Sequence, residues 1–248
     1  MSSTRNTKWF ETWFDSPYYH ILYKHRNCDE AEVLIDELIN YFQPPKEARF
    51  MDLACGKGRH SVFLNRKGFD VTGIDLSQES IKHASQCCEN ERLHFYVHDM
   101  RKLFRTNYFD YVLNLFTSFG YFDNERDNNA TINAVAKSLK PNGIFVLDFF
   151  NADKVVSTLK SSQQTEVNGI VFTIGKRVEN GHIVKQISFS DQGRDYNFEE
   201  RVQLITLAQF ERYFSDNGLN IIHLWGDYQL HEFDKASSER LIIAAQKA

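Results

Sequence analysis

Hydrophobic positions along the middle of the chain follow two alternating patterns. Short runs of apolar and β-branched residues bounded by turn residues are typical of strands, and they occur at 49–54, 69–75, 93–99, 108–116 and 144–150. Most of the stretches between these runs carry apolar residues three and four positions apart, which predicts helices. This strand–helix–strand repetition with short turns predicts βαβ units and a doubly wound, largely parallel α/β sheet.

The N-terminal part of the chain departs from this alternation. Residues 9–23, WFETWFDSPYYHILY, are rich in aromatic side chains at helical spacing, and Pro17 interrupts them. Residues 28–42 predict an amphipathic helix that two prolines end. We therefore expect an N-terminal helical, aromatic lid segment at 1–43 and a main domain at 44–248.

After about residue 165 the pattern is that of antiparallel hairpins. Short alternating runs are separated by glycine turns, and Asn180-Gly181 is a strong two-residue hairpin signal. We expect a small antiparallel β insertion at about 165–206, followed by an amphipathic helix at 206–219. The chain then closes with two apolar runs, NIIHLWGDYQ and ERLIIAAQK, which predict an antiparallel strand pair at the edge of the main sheet.

Composition and charge argue against several classes of protein. The net charge of -4 disfavours a broad surface for nucleic acid. The chain has no apolar run of the roughly 20 residues that span a bilayer, and its first residues lack the apolar core of a signal peptide. The four cysteines form no Cys-x-x-Cys pair, and the histidines lie in no metal-ligand register. We expect a cytoplasmic protein with neither a membrane segment nor a metal site.

The segment MDLACGKGRH, residues 51–60, contains the strongest signal for a ligand. Gly56 and Gly58 follow the first predicted strand and open a helix, which is where open α/β sheets bind ligands. Asp75 ends the second strand, at a distance suited to an acid that binds ribose hydroxyls. The pattern indicates a nucleoside-type ligand, although an ordinary tight turn with Asp75 as a helix cap has the same sequence.

Two residues indicate whether this turn binds a dinucleotide or S-adenosylmethionine. The dinucleotide fingerprint has glycine or alanine where this chain has Ser61. Asp52, at the end of the strand before the turn, would repel a pyrophosphate and attract an ammonium group. S-adenosylmethionine carries an ammonium group and no phosphate, so these residues favour it.

The motifs around these residues resemble those of one family. DLACGKG, GIDLS, HDM, YVLNLFTSFGYF and LKPNGIFVLDFF, spread over about 48–150, are similar to class I S-adenosylmethionine-dependent methyltransferases of the small-molecule type. The resemblance implies a Rossmann-like, doubly wound sheet of seven strands, mostly parallel with the last strand antiparallel. It also implies S-adenosyl-L-methionine as the cofactor and S-adenosyl-L-homocysteine as the product.

The resemblance further implies how the adenosine half of the cofactor is held. Asp75 would bind the ribose hydroxyls, with the helix-cap candidate Ser77 beside it, and Leu76 would pack on the adenine. Asp99 would accept a hydrogen bond from the adenine amino group, and Met100 would supply a backbone N–H.

For the methionine half, the resemblance implies a role for the glycine turn. Asp52 would face the ammonium group, directly or through water, with the backbone of Ala54 and Gly56 beside it. Gly58 completes the turn and is also expected in the wall of the cofactor site. Arg59 would meet the cofactor carboxylate, or else lie in solvent on the helix face.

Two further pairs are expected at the methyl group. By the same resemblance Asn114 and Phe116, at the end of the fourth strand, would border the methionine and the transferred methyl. We expect Tyr18 or Tyr19 of the N-terminal segment to close over the methionine end, because aromatic faces attract a sulfonium. Plain packing of these tyrosines is the alternative.

The acceptor side of the reaction is less defined by the sequence. Methyl transfer depends mainly on positioning, and a neutral amine needs no base whereas a hydroxyl does. We nominate Asp148 as a general base, with His25 and Tyr121 in reserve, and a bracing role for Asp148 is the alternative. His60 is expected on the helix surface.

We expect a small-molecule acceptor, methylated on oxygen or nitrogen. RNA or protein acceptors are the first alternative, because acidic net charge is only a soft argument against them. An NAD-dependent oxidoreductase and a non-catalytic module that binds S-adenosylmethionine are the others.

Overall fold

A computed structural model of the protein describes residues 9–24, 28–122, 124–159 and 162–248. In chain order its elements are α1 (Trp9–Phe14), α2 (Pro17–Leu22), α3 (Cys28–Phe42), β1 (Arg49–Leu53), α4 (Arg59–Arg66), β2 (Asp70–Asp75), α5 (Gln78–Cys88), β3 (Leu93–Val97), β4 (Phe109–Asn114), α6 (Glu125–Ser138), β5 (Leu139–Phe150), α7 (Ala152–Thr158), β6 (Ser162–Val167), β7 (Ile170–Glu179), β8 (His182–Asp191), β9 (Arg194–Gln203), α8 (Leu207–Ser215), β10 (Leu219–Trp225) and β11 (Arg240–Lys247).

Seven strands form one sheet in the order β10–β11–β5–β4–β1–β2–β3. β1 to β5 are parallel to one another, whereas β11 runs antiparallel to both β5 and β10. The predicted Rossmann-like sheet, with its last strand antiparallel, is confirmed. The strand order reverses at β1, between β4 and β2, so a crevice opens there at the carboxyl ends of the strands.

The large sheet is buried on both faces because its strands send alternate side chains to two cores. In β5, Ile144 and Val146 lie in one core, and Phe145, Leu147 and Phe149 lie in the other. Helices α3, α4 and α5 cover the first face, and α6 and α8 cover the second. This layered packing places the helix N-termini and the strand carboxyl ends at one edge of the sheet.

The insertion is a second, four-stranded antiparallel sheet in the order β6–β7–β8–β9. Three two-residue turns connect its strands, at 168–169, 180–181 and 192–193, and all six residues have positive φ. Such turns match the twist of a hairpin, and glycine at the second position removes the steric cost. The predicted β insertion and its Asn180-Gly181 hairpin are confirmed, and the first strand begins earlier than expected.

The two N-terminal helices pack on this insertion sheet. Trp13 is 1% exposed and its ring lies 4.4 Å from that of Phe198, and Leu22 joins the same core as Phe172 and Phe189. By contrast α3 packs on the large sheet with α4 and β1. The segment predicted as one lid at 1–43 therefore contributes to two different cores.

Candidate active site

A cavity of about 420 Å³ lies at the carboxyl ends of β1 to β4, beneath α2. It is the crevice at the reversal of strand order, where open α/β sheets bind ligands. The predicted site residues that line it are Ala54, Gly56, Arg59, Asp75, Leu76, Ser77, Asp99, Met100, Phe116, Tyr19 and Tyr121. Residues from four strand ends and the N-terminal segment are thus brought together around one cavity.

The glycine turn between β1 and α4 shapes one wall. Ala54, Gly56 and Gly58 all have positive φ, at +62°, +54° and +82°. A Cβ on Gly58 would lie 2.6 Å from the ring of Phe95, whereas one on Gly56 would meet nothing within 4 Å. Gly56 lines the cavity, but Gly58 is the N-cap of α4 and does not. The second glycine therefore serves close packing on Phe95, which corrects its expected place in the cavity wall.

Asp75, at the end of β2, is held by the backbone on either side. Its Oδ2 accepts a hydrogen bond from Gly56 N–H at 2.9 Å, and its Oδ1 accepts one from Ser77 N–H at 2.8 Å. Burial raises the pKa of Asp75, and these N–H donors oppose the rise. Each carboxylate oxygen can accept a second hydrogen bond, so Asp75 can bind hydroxyl groups in the cavity.

Asp99, just past β3, forms a fork with Arg101. Arg101 Nη2 donates to Asp99 Oδ2 at 2.7 Å and Nε donates to Oδ1 at 3.0 Å, while Nη1 donates to Asp127 at 2.7 Å. Partial burial alone would raise the pKa of Asp99, but the Arg101 hydrogen bonds and charge outweigh it and hold the pKa low. Arg101 was not among the predicted site residues, and nothing local in the sequence marks it.

Three histidines that the sequence did not assign to the cavity line it, and they are His20 of α2, His60 of α4 and His98 just past β3. The expected place of His60 on the helix surface is wrong. Its ring stacks on Phe116 at 5.1 Å, and its Nε2 accepts from Arg59 Nη2 at 3.0 Å. Burial lowers the pKa of His60 to about 3, and burial next to Lys57 lowers that of His20 to about 4. Both rings are therefore neutral at pH 7.

Asp52 does not face the cavity, which corrects its expected contact with the ligand ammonium. Its side chain lies beneath the turn at 1% exposure, where Oδ2 accepts a 2.6 Å hydrogen bond from Ser61 Oγ. Burial raises the pKa of Asp52 to about 6, although the Ser61 hydrogen bond opposes this. The reason is geometric, because the strand turns this side chain towards α4 instead of the crevice.

Asn114 and Asp148, at the ends of β4 and β5, are also turned into the protein. Asn114 Nδ2 donates to Leu53 O at 2.8 Å, so it braces the carbonyl before the glycine turn. Asp148 is 0% exposed, accepts from Phe116 N–H at 2.7 Å, and pairs with Arg240 at 2.7 Å. Burial raises the pKa of Asp148 against the opposing Arg240 charge. Neither side chain lines the cavity. The expected place of Asn114 beside the transferred methyl and the base role of Asp148 are therefore both corrected to bracing.

The two neighbouring tyrosines of α2 have different surroundings. Tyr19 lines the cavity, and Tyr18 does not. Tyr18 instead packs on Phe189 and Tyr196 of the insertion, and its hydroxyl donates to Asp191 at 2.8 Å. Tyr18 as a cover for the methionine end is therefore corrected, and Tyr19 stays a prediction.

The two reserve bases have different outcomes. Tyr121 lines the cavity, and its hydroxyl donates to the carbonyl of Thr117. His25 lies outside the described residues.

A second cavity, of about 630 Å³, lies between the insertion sheet and the ends of β5 and β11. Phe116 lines both cavities, so they adjoin at the end of β4. Tyr23 also joins them, because its ring lines the first cavity and its hydroxyl donates at 2.6 Å to Glu200, which lines the second.

Neither a membrane helix nor a metal cluster is found in the described parts of the chain. None of the described helices is long and apolar enough to cross a bilayer. Within those same residues there is no group of three or more His, Cys, Asp or Glu side chains that could hold a metal ion.

Sequence comparison points to one family. A family described as "Methyltransferase domain" matches residues 50–143. The Bacillus subtilis protein YqeM, whose methyltransferase designation is provisional, is 31% identical over 215 residues, which cover 82% of this chain and 86% of YqeM. The dTDP-3-amino-3,4,6-trideoxy-alpha-D-glucopyranose N,N-dimethyltransferase of Streptomyces venezuelae is 26% identical, over 84% of this chain and 91% of its own.

Structure comparison agrees with this result. The crystal structure of a S-adenosylmethionine-dependent methyltransferase from Clostridium acetobutylicum superposes with a TM-score of 0.78 at 20% identity, over 93% of this chain and 96% of the other. Fold and cavity together define an α/β enzyme of the class I methyltransferase type. The chain belongs to the S-adenosylmethionine-dependent methyltransferases, and S-adenosyl-L-methionine is its cofactor.

The residues of the first cavity fit this cofactor. A volume of about 420 Å³ lies within the range of small-molecule sites. Asp75 has acceptor capacity left for vicinal hydroxyls, and the exposed Leu76 offers an apolar face beside it. Lys57 and Arg59 place cations at the turn for a carboxylate, and the aromatic rings of Tyr19 and Phe116 suit a sulfonium.

Proposed function

We propose that the protein transfers a methyl group from S-adenosyl-L-methionine to the nitrogen atom of a small amine. The observation that carries this proposal is that hydrogen bonds hold the carboxylates of the first cavity, while burial lowers the pKa of His20 to about 4 and that of His60 to about 3, which makes both rings weak bases. Asp75 accepts two backbone N–H groups, Asp99 is held by Arg101, and His60 accepts from Arg59. A neutral amine carries its own lone pair and needs no general base, whereas a hydroxyl group needs proton removal.

The aromatic lining supports the same acceptor. Phe14, Tyr19, Phe116 and Tyr121 surround the cavity. An N-methylated amine can keep a positive charge as product, which ring faces stabilise by cation–π attraction. The sugar N,N-dimethyltransferase of Streptomyces venezuelae is a relative that methylates nitrogen by its name, which agrees with an amine acceptor.

In this proposal each group of the first cavity has a defined task. S-adenosyl-L-methionine, when bound, would supply a methyl group on a sulfonium, so that an in-line amine nitrogen bonds to the methyl carbon while S-adenosyl-L-homocysteine leaves as a neutral thioether. Asp75 orients the ribose hydroxyls, and Asp99 with the Met100 backbone binds the adenine edge. Lys57 and Arg59 hold the cofactor carboxylate. Tyr19 and Phe116 exclude water beside the sulfonium, and so fix the angle at which the amine approaches.

The test uses paired acceptors that share one carbon skeleton and differ only in an amine or a hydroxyl group. The enzyme is incubated with methyl-labelled cofactor and each compound, and mass spectrometry locates the label. We expect label on the amine of a pair and none on the matched alcohol. Label on oxygen, or only on added RNA or protein, would overturn the proposal. Cofactor binding without transfer to any acceptor would indicate a non-catalytic binding module.

A further inference from the structure

The second cavity is bordered by cations from both sheets. Lys176 of β7, Lys185 of β8 and Arg240 of β11 line it, and Glu200 of β9 is the acidic residue among the described lining. Apolar side chains such as Phe150 complete the wall. The cavity therefore combines a positive surface with room for a molecule of some size.

Two of these three cations have an acidic partner within the fold. Arg240 pairs with the buried Asp148 at 2.7 Å. Lys185 Nζ lies 3.6 Å from Glu200 Oε2 and 4.4 Å from the centre of the Tyr23 ring. Lys176 has no ion pair or side-chain hydrogen bond with any described residue. One uncompensated positive charge therefore remains in this cavity.

The strand register places Lys176 directly opposite Lys185. The two residues are paired across the antiparallel strands β7 and β8, and Glu200 follows opposite Lys185 on β9. Like charges directly opposite each other on neighbouring strands destabilise a sheet. Glu200 offsets only part of this repulsion, since it also accepts hydrogen bonds from Trp13 Nε1 at 2.7 Å and from the Tyr23 hydroxyl. An anion in the cavity would relieve the repulsion between the two lysines.

We propose that the second cavity binds an anionic group, a phosphate or a carboxylate, carried by the methyl acceptor. This inference rests on the proposed function and names its substrate class, an amine that also bears a negative charge. Phe116, shared by both cavities, marks where the acceptor crosses from one to the other. The anion lies on Lys176 and Lys185, so that the amine is directed towards the first cavity.

The experiment measures binding of inorganic phosphate and of acetate to the whole protein. S-adenosyl-L-homocysteine is present at saturation, so that Lys57 and Arg59 of the first cavity are covered. We expect the wild type to bind at least one of the two anions. The substitution Lys176→Gln should raise the dissociation constant roughly tenfold, because it removes one charge-assisted contact. Tighter binding of phosphate assigns a phosphate ester to the acceptor, and tighter binding of acetate assigns a carboxylate.

Two control variants keep the test decisive. Arg194→Gln removes one charge from the exposed end of β9, outside the cavity, and should leave anion binding unchanged. Lys176→Arg retains the charge and should keep affinity within about threefold of the wild type. Without added anion at low salt, Lys176→Gln should unfold at higher urea than the wild type, because it relieves the repulsion with Lys185.

The outcomes separate this inference from the proposed function. Failure of the wild type to bind either anion, or equal binding by Lys176→Gln, would overturn the anion site whatever the methyl acceptor is. Failure of every amine to accept a methyl group would overturn the proposed function. The anion titrations would still show whether the second cavity binds an anion.

Discussion

Ser61 Oγ donates a 2.6 Å hydrogen bond to Asp52 Oδ2, and both side chains are buried beneath the glycine turn. In the sequence, these two residues are separate arguments for S-adenosylmethionine over a dinucleotide as the ligand of this turn. In the folded protein they form one pair that supports the turn from below. Asp52 therefore acts on the cofactor site through the position of the backbone instead of through contact.

The burial of Asp52 predicts a distinctive pH dependence of stability. Its pKa is raised from 3.8 to about 6, so the folded state binds this proton more tightly than the unfolded state. The stability that the protonated group contributes is present below pH 4 and is lost as the pH rises towards 6. Relative to Asp52→Asn, the wild type should lose roughly 2–3 kcal/mol of unfolding free energy between pH 4 and pH 7. Urea unfolding of both proteins across this range measures it.

Ser61→Ala provides a check on this interpretation. Without its donor the carboxylate is harder to ionise, so the pH at which stability falls should move upwards. Parallel curves for the wild type and Asp52→Asn would contradict the predicted linkage.

Asp75→Asn should weaken binding of S-adenosyl-L-homocysteine. The amide retains one acceptor oxygen but replaces the other with a donor, so it cannot keep both backbone N–H contacts and accept from ribose hydroxyls. We expect a loss of about 10- to 100-fold, the range for hydrogen bonds to a charged group. Calorimetric titration measures the affinity. Asp70→Asn, at the opposite end of β2, is the matched control, and an equal loss there would contradict a direct role for Asp75.

Substitution of the two adjacent tyrosines of α2 should have different effects, on cofactor affinity for Tyr19 and on stability for Tyr18. Tyr19→Ala removes a ring from the first cavity and should weaken S-adenosyl-L-methionine binding by roughly 3- to 30-fold. Tyr18→Ala removes packing on Phe189 and Tyr196 and should lower the melting temperature with no change in affinity. Calorimetry and thermal unfolding of both variants separate the two roles. Unchanged affinity in Tyr19→Ala would exclude Tyr19 as a cover for the methionine end.

The two glycines of the turn should respond differently to alanine. Gly58→Ala combines left-handed backbone strain with overlap of the Phe95 ring at 2.6 Å, so we expect a loss of about 2–4 kcal/mol. Gly56→Ala meets no neighbouring atom and should lose only about 1–2 kcal/mol from backbone strain. Denaturant unfolding gives both values. Phe95→Leu should recover part of the loss in Gly58→Ala, and an absence of recovery would show that strain alone is responsible.

The Asp148–Arg240 pair predicts an asymmetric double-mutant cycle. Arg240→Gln leaves a fully buried carboxylate and should destabilise by about 3–5 kcal/mol. Asp148→Asn leaves a guanidinium that is 18% exposed, so its loss should be smaller. The double variant should lose less than the sum of the two. Additive losses would mean that the two groups do not interact, and a shifted pH–rate profile in Asp148→Asn would restore its role as a base.

Much of the fold follows from local patterns in the sequence. The strand periods, the hairpin turn at Asn180-Gly181 and the β-strand–glycine-turn–helix junction each depend on residues close together in the chain. Helix α7 was not predicted, and the packing of α1 and α2 on the insertion was not predicted either. Helices α1 and α2 pack on strands more than 140 residues further along the chain. Helix α7 is held through Lys154 by Ser237 and Glu239, which are 83 and 85 residues away.

For the site, the sequence predicts which residues lie at the cavity where the backbone itself defines their position, and their cofactor contacts stay predictions. Asp75, Leu76, Asp99 and Met100 directly follow or end their strands, so they reach the crevice by topology alone. Prediction fails where the side chain could turn either way. Asp52 points to Ser61, and His60 lies in the wall instead of on the helix surface.

The sequence by itself determined the order of elements, the glycine turn and the acids at the carboxyl ends of the strands, because periodicity and turn chemistry act over a few residues. Only the tertiary structure decided which of these side chains meet the cavity and which support it. Asp148 pairs with Arg240, which lies 92 positions further along the chain, and Lys176 lies opposite Lys185 because of the register that the hairpin defines. Such pairings arise from contacts between distant segments, so they become visible only when the two sheets are built.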